Sequence, residues 1–445
     1  MEGEAKVSDS SAQRVVIVGG GATAGMIAVR LAGRGMRVTV VEKAAIGNGS
    51  SSRSNAGIRA QFGVRETVTG MMYSEWWYAH AHDLLHTPAG HREPMIRQNG
   101  YLFLYEAPAL AAPASRPDLR AEAERSWERA RQYAAMQRSI GLPVEILTPD
   151  DVRRRWPHIE PDRLAGATYC PDDGFLHPHV ILGETYRRAR ELGVDVRTHT
   201  EVTGTHSRAG RITRVETERG VIEADTVVNA TNAWAARTSE RLGGMPLPVS
   251  PLKRYLYYLK PARPVMSEEA WARLPMTIYG LGAGRGALTR PDGPLLCLAW
   301  AHETPPEPEF ADEDQDRVDP AFHHEHGTEN FGYATLAQVA DFAPSLADCG
   351  GLCATTSGFY GVTPDNSPLI GWDARQENLL HAAGFSGHGL MHAPITAVLV
   401  EALLTGNVAG GLVRLPPPFE QHAIQLATFD PRREFNQAHH EDMVL

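Results

Sequence analysis

The pattern of apolar and polar positions is clearest near the start of the chain. A run of β-branched residues at 15–18 leads into three glycines at 19–21, which predicts a buried strand that ends in a tight turn. Apolar residues then recur with helical spacing over 26–32, and a second apolar run at 38–41 ends on Glu42. The order of strand, glycine turn, helix, strand and acid predicts a βαβ unit that binds a dinucleotide.

The residues of this unit have separate physical roles. Gly19 permits the tight turn, Gly21 lets the backbone approach a pyrophosphate, and the small Ala24 lets the helix pack on the strand. The start of the helix offers unpaired N–H groups and the positive end of its dipole to the phosphates. Glu42 is expected to accept hydrogen bonds from an adenosine ribose and to repel a phosphate there, which disfavours NADP.

A second unit of strand, glycine loop and helix is predicted near residue 390. Apolar residues at 379–382 predict the strand, and Gly-Phe-Ser-Gly-His-Gly at 384–389 predicts the loop. The apolar stretch 391–404 predicts the helix. The N-terminus of this helix is therefore a second place for an electron-rich oxygen.

The chain between these two units is predicted to hold helices and mainly antiparallel strands. Helical patterns cover 66–85, 119–140, 152–156 and 180–192, and hairpin strands cover 211–218 and 221–224. Residues 252–259 predict a strand of an antiparallel sheet, with Tyr255, Tyr257 and Tyr258 distributed over both faces. The glycine-rich stretch 280–286 has no helix after it, so a separate NAD(P)H domain is not predicted there.

The segment 46–59 is dense in glycine, serine and arginine. It is either a solvated linker or a loop that wraps a cofactor. In the second interpretation, Ser51 and Ser52 face phosphate or ribityl oxygens, and Arg53 or Arg59 meets an anion.

Composition limits the possible partners. The chain has 445 residues, which suggests two or three domains, and a formal charge of -10 argues against nucleic acid and anionic membranes. Four cysteines suggest a reducing compartment, and no apolar run approaches the length of a membrane span. A cytoplasmic protein is therefore expected.

No metal site is expected from the sequence. Cys349 and Cys353 lack a second pair, and His177 and His179 lack a third ligand. The acidic stretch 303–320 is expected to be an exposed loop, and the histidines beside it are expected to be solvated; they are His323, His324 and His326.

Several motifs together resemble one known family. They are the fingerprint from Gly19 to Glu42, Ser-Arg-Ser-Asn-Ala-Gly-Ile-Arg ending at Arg59, Val-Val-Asn-Ala at 227–230, Thr-Pro-Asp at 363–365 and the loop 384–389. In this order they resemble the D-amino-acid oxidase (DAO) superfamily, and within it sarcosine oxidase and the β subunits of related dehydrogenases.

The resemblance implies an α/β fold, α+β overall. A Rossmann-like domain is expected to bind FAD, and a discontinuous substrate domain built on a mainly antiparallel sheet is expected to cover the flavin as a roof. The expected FAD-binding domain comprises 13–92, 166–238 and 350–410. The expected substrate domain comprises 93–165 and 239–349, and 1–12 and 411–445 are terminal extensions.

The resemblance also implies a set of site residues. The expected cofactor contacts are Gly19, Gly21, Ala22, Thr23, Ala24, Glu42, Lys43, Ser51, Ser52, Arg53, Val202, Ala230, Trp234, Gly361, Gly387, His388, Gly389, Leu390 and Met391. Arg59 is expected to orient an anionic or polar substrate group, and Tyr255 or Tyr257 to shape the pocket. His388 is expected to stabilise the reduced flavin or contact substrate, unless it only caps a helix.

Three positions depart from the sarcosine oxidases. Gly358 stands where a cysteine holds the flavin, so non-covalent FAD is predicted. Met391 stands in place of a lysine that binds the substrate carboxylate together with an arginine, so only the arginine of that pair, Arg59, is present. Near Cys297 the oxygen-activating lysine is missing, which favours a dehydrogenase over an oxidase.

The implied reaction is oxidation of an amine or amino acid by hydride transfer to flavin N5, giving an imine. The expected partners are that small molecule and an electron acceptor, either oxygen or another molecule, with no nucleic acid and no membrane; the oligomeric state stays open. Two alternatives remain: a flavoenzyme for a biosynthetic intermediate that is not an amino acid, and a non-catalytic flavin-binding subunit or assembly factor.

Overall fold

The computed structural model describes residues 12–112, 114–282, 285–300, 310, 331–435 and 440–443. The strands are β1 Arg14–Val18, β2 Arg37–Val41, β3 Gly57–Ile58, β4 Ile96–Arg97, β5 Tyr101–Glu106, β6 Glu145–Leu147, β7 Leu164–Cys170, β8 Gly174–Leu176, β9 Asp195–Arg197, β10 Val202–Arg208, β11 Arg211–Thr217, β12 Gly220–Glu223, β13 Thr226–Asn229, β14 Ser250–Pro261, β15 Met276–Gly282, β16 Arg285–Asp292, β17 Leu295–Trp300, β18 Cys349–Val362, β19 Leu369–Trp372, β20 Leu379–Ala383, β21 Leu412–Arg414 and β22 Ala423–Gln425. The helices are α1 Ala22–Gly33, α2 Arg65–Ala79, α3 Ala81–Leu84, α4 Pro108–Ala111, α5 Pro117–Ser139, α6 Pro149–Arg155, α7 Pro178–Glu191, α8 Ala235–Arg241, α9 Glu268–Ala272, α10 Phe331–Phe342, α11 Pro344–Ala347 and α12 Gly389–Thr405.

A six-stranded sheet carries both predicted glycine units. Its order is β19-β20-β13-β1-β2-β9, and all of its pairs are parallel except β19 with β20. The central strand β1 is buried because its valine and isoleucine side chains are covered on both faces, as parallel sheets require. Helices α1 and α12 pack against each other beside this sheet. The carboxyl ends of β1, β13 and β20 therefore point to one edge, where a cofactor binds in such sheets.

An eight-stranded, mainly antiparallel sheet covers that edge. Its order is β18-β14-β17-β16-β15-β5-β7-β6, with one parallel pair, β15 with β5. Strand β14 has two buried faces. On what we call the inner face, Leu256 and Tyr258 pack into the core that also contains β1 and α12. On the outer face, Tyr255, Tyr257 and Leu259 pack into a second core with α10.

The predicted fold class is confirmed, and the predicted elements agree with the structure within a few residues. The stretch predicted as one helix over 66–85 is two helices, α2 and α3. Thr148 caps α6, because its side chain accepts from Asp151 N–H while the Asp151 carboxylate accepts from Thr148 N–H. The predicted loop 303–320 and the histidines at 323, 324 and 326 lie outside the described residues. None of the helices in the described ranges is long and apolar enough to cross a membrane.

Candidate active site

One cleft of about 370 Å³ runs between the two sheets and connects both glycine turns. We call its two parts the nucleotide end, beside Gly19–Thr23 and Glu42, and the substrate end, beside Arg254, Tyr360 and Gly389. The segment 48–55, apart from Ser52, also lines the cleft. Of the two interpretations of that segment, the loop that wraps a cofactor agrees with this position.

The glycine turn after β1 leaves space that a larger residue would fill. Gly19 has φ +113°, and a Cβ built on it would lie 2.6 Å from the carbonyl oxygen of Ala230. Any other L-residue is strained in that conformation and would also collide with the end of β13. The turn therefore brings backbone N–H groups at the start of α1 directly to the cleft, as a pyrophosphate requires.

Glu42 fixes this turn from the adjacent strand. Its carboxylate oxygens accept hydrogen bonds from Gly20 N–H at 2.6 Å and Ala44 N–H at 2.8 Å. Ser51 supports the helix start, because its Oγ accepts from Ala22 N–H at 3.1 Å. Each carboxylate oxygen keeps a second lone pair, so Glu42 is also placed to accept from a ribose hydroxyl.

The second glycine turn closes the other side of the cleft. Gly387 has φ +94°, and a Cβ there would lie 2.4 Å from the ring of Tyr360. Gly389 and Leu390, the first residues of α12, line the cleft. The positive end of this 17-residue helix therefore lies at the cleft, where it would stabilise a group that carries negative charge.

The residues present fit FAD. Two turns whose glycines leave no room for a side chain line one cleft, each at a helix N-terminus, and Glu42 lines the same cleft at the end of β2, as expected for the acid that binds the ribose of a dinucleotide. FAD needs both features, because its pyrophosphate and its pyrimidine ring both carry negative charge.

Arg254 lies at the substrate end, on the inner face of β14. It lines the cleft together with Leu256, Leu288 and Ala299. Its guanidinium lies 5.9 Å from the ring centroid of Tyr360. Burial lowers the pKa of the Arg254 guanidinium, which describes a cation that has lost much of its hydration.

Arg59 is held away from the cleft. It is 1% exposed, and its Nη1 donates to Gln61 O at 2.5 Å while its Nη2 donates to Met443 O. The guanidinium carbon lies 3.9 Å from the ring centroid of Phe62. The structure therefore gives Arg59 partners from the protein itself.

His388 stands at the N-cap of α12 and is 6% exposed. Its ring packs edge-on against Phe62, with centroids 4.9 Å apart. Burial, followed by the charges of Arg59 and His392, holds the pKa of His388 well below its usual range. The side chain is therefore a neutral imidazole at neutral pH.

Most of the expected cofactor residues do line the cleft. They are Gly19, Gly21, Ala22, Thr23, Glu42, Lys43, Ser51, Arg53, Val202, Ala230, Trp234, Gly387, Gly389 and Leu390. Tyr255 also reaches it.

The other expected residues lie outside the lining, each for a local reason. Ala24 and Met391 face the helix packing around α1 and α12, and Tyr257 is on the outer face of β14. The Ser52 hydroxyl donates to Gly47 O at 2.6 Å. Gly361 packs against the backbone of Ala233. His388 and Arg59 are enclosed by the contacts described above.

Apart from Tyr255, the residues that the roof sheet contributes to the cleft were not predicted from the sequence. Arg254, Leu288, Ala299 and Tyr360 all line the substrate end. The period-two alternation of β14 is the signal that links Arg254 to Leu256 on one face. Among the described residues, no group of three His, Cys, Asp or Glu side chains is arranged to hold a metal ion.

Comparison with known proteins agrees with this geometry. The DAO family model, described as FAD dependent oxidoreductase, matches residues 14–403. FAD-dependent oxidoreductase domain-containing protein 1 of Xenopus laevis is 28% identical over 95% of this chain and 83% of its own length. Glycine oxidase of Geobacillus kaustophilus is 26% identical over 88% of this chain and 92% of its own. The crystal structure of L-proline dehydrogenase from P. horikoshii superposes with a TM-score of 0.75 and 26% identity, covering 94% of this chain and 97% of that one.

Proposed function

This chain belongs to the DAO family of FAD-dependent oxidoreductases, and from that premise we propose that it oxidises the CH–NH bond of an amine or amino acid. The matched family model spans most of the sequence, and relatives named for amino-acid oxidation cover nearly the whole chain. The product is an imine, which water hydrolyses.

One observation carries the proposal: the cleft that fits FAD continues without a break to an inner-face arginine beneath the roof sheet. A cation in a desolvated pocket selects a substrate that carries an anionic group, such as the carboxylate of an amino acid. The apolar neighbours Leu256 and Leu288 exclude water from the same place.

The chain's own residues supply positioning and electrostatics. When bound, FAD supplies the hydride acceptor at N5. The N-terminus of α12 stabilises negative charge that develops at the substrate end, and Tyr360, packed on Gly387, fixes one wall. Among the described residues that line the substrate end, none is a carboxylate or a histidine. The amine is therefore expected to react as the neutral form, after losing its proton to solvent.

We also propose that FAD binds non-covalently, with no bond to a cysteine. Cys170, Cys297, Cys349 and Cys353 do not line the described part of the cleft, and Gly358 occupies the place next to Arg53. Acid precipitation of the purified protein is expected to release yellow FAD into the supernatant. Colour that stays with the precipitate contradicts non-covalent attachment.

The test of the function is anaerobic reduction of the bound flavin. Glycine, sarcosine, proline, dimethylglycine and their decarboxylated amines are mixed with the holoprotein, and the flavin absorbance is followed. We expect at least one of these amines to bleach the flavin. Failure of all small amines and amino acids contradicts the proposal and favours a substrate without a CH–NH bond or a non-catalytic flavoprotein.

A further inference from the structure

Two arginines are candidates for substrate binding: Arg254 lines the substrate end of the cleft, and Arg59 is enclosed by the protein outside the lining. We propose that Arg254, and not Arg59, receives the anionic group of the substrate. This inference rests on the proposed function, because it names the residue that selects an acidic substrate at the same site.

Arg59 is buried in the protein interior and hydrogen-bonded there. Its two terminal nitrogens donate to Gln61 O and Met443 O, and its guanidinium lies over the rings of Phe62 and Phe103 at 3.9 and 5.4 Å. To reach a ligand in the cleft, Arg59 would have to leave two buried carbonyl groups unpaired. Each such loss is unfavourable by about 1–3 kcal/mol.

The segment 440–443 holds Arg59 in this role. Its Glu441 is 2% exposed, and the carboxylate accepts from Gly63 N–H at 2.9 Å and Val64 N–H at 3.0 Å. These N–H groups lie just before α2, whose N-cap, Val64, has no side-chain oxygen to offer. Glu441 therefore caps α2 from a distant part of the sequence and places Met443 O against Arg59.

The same segment is anchored to the roof. The carboxylate of Asp442 accepts from Arg129 Nη1 and Tyr133 OH, both at 2.8 Å, on α5. Glu441 N–H donates to Asp365 O at 2.9 Å. Since contacts on three sides fix the segment, movement of Arg59 toward the cleft would also have to disturb these bonds.

Arg254 has the position that Arg59 lacks. It lines the cleft from the inner face of β14, beside Tyr360, and the first residues of α12 line the same cleft. The Tyr360 hydroxyl is within electrostatic range of both guanidinium groups. A planar guanidinium in such a pocket suits a carboxylate, which it binds with two parallel hydrogen bonds.

Matched substrate pairs test this assignment. We compare kcat/KM for proline against pyrrolidine and for sarcosine against dimethylamine, in Arg254→Met, Arg254→Lys and the exposed control Lys260→Met on the same strand. Arg254→Met is expected to lower kcat/KM for the amino acid by about 100-fold, because it removes one partner of a buried charge pair. The preference of the enzyme for the amino acid over the decarboxylated amine is expected to disappear. Lys260→Met is expected to keep that preference. A preserved preference in Arg254→Met overturns the assignment.

Binding of benzoate, followed by calorimetry, supplies a readout that does not depend on turnover. Wild type and Glu441→Gln are expected to bind benzoate with dissociation constants within about threefold of each other, whereas Arg254→Met is expected to lose binding. No binding by wild type, or normal binding by Arg254→Met, overturns the proposal. If no amine reduces the flavin while benzoate binding still depends on Arg254, the proposed function fails and the anion site stands.

Discussion

The nucleotide end and the substrate end of the cleft are built in different ways. At the nucleotide end, the turn at 19–23 and Glu42 line the cleft and are close together in the sequence. At the substrate end they come from β14, β16, β17, β18 and the start of α12, which are far apart in sequence.

The two ends therefore respond differently to substitution. The nucleotide end uses backbone groups in a fixed turn, and few residues other than glycine can adopt the backbone conformation of that turn. The substrate end uses side chains on a sheet, so replacing one residue changes the chemistry of the pocket while the frame remains. Substitutions are therefore expected to change substrate specificity more readily than cofactor specificity.

The largest effect that this comparison predicts is at Gly19. Gly19→Ala places a Cβ 2.6 Å from Ala230 O in a backbone conformation that alanine disfavours. A penalty of about 3 kcal/mol is expected, which corresponds to a loss of FAD affinity of ~100-fold. The measurement is flavin content per chain after purification and titration with FAD.

The control for Gly19→Ala is Gly33→Ala, at the end of α1, where a Cβ meets nothing within 4 Å. This variant is expected to bind FAD normally. Normal FAD binding by Gly19→Ala would show that the turn does not hold the cofactor.

A smaller effect is expected at Glu441, beneath the substrate end. Glu441→Ala leaves the buried N–H groups of Gly63 and Val64 unpaired, so the free energy of unfolding is expected to fall by about 2 kcal/mol. Denaturant unfolding of the holoprotein measures this. The exposed Glu420→Ala is the matched control, and equal stabilities would contradict the capping role of Glu441.

A still smaller effect is expected from a substitution at Glu42. Glu42→Gln keeps one acceptor but loses the charge that holds Gly20 N–H and Ala44 N–H, so FAD affinity is expected to fall about 5–10-fold, or about 1 kcal/mol. Equilibrium titration of the apoprotein with FAD checks this value. A larger loss than that of Gly19→Ala would reverse the order proposed for the nucleotide end.

The smallest expected effect concerns pH. Burial holds the pKa of His388 well below the ordinary value for histidine of about 6.5, so the imidazole is expected to stay neutral as pH falls from about 8 to about 6.5. The rate of anaerobic flavin reduction should therefore show no inflection from His388 in that range, and His388→Asn should have the same profile shape. An inflection near pH 6.5 that disappears in His388→Asn would show that the histidine titrates there.

The two ends also differ in how far the sequence predicts them. The run 15–18, the glycine turn and Glu42 are close in sequence, so local spacing predicts their arrangement. Both faces of β14 are buried, one against the FAD-binding core and one against α10, so apolar patterning does not reveal that Arg254 faces the cleft and Tyr257 does not. The environment of Arg59 depends on Met443, which is 384 residues away, and no local pattern predicts that contact.

The most direct test of the central claim is a crystal structure of the protein with FAD bound. We expect one FAD per chain, with pyrophosphate oxygens within hydrogen-bond distance of backbone N–H groups of the turn at 19–23, such as that of Gly21, and the pyrimidine edge of the flavin ring beside Gly389. A flavin ring that lies away from α12, or a pyrophosphate that does not contact the turn after β1, would contradict it.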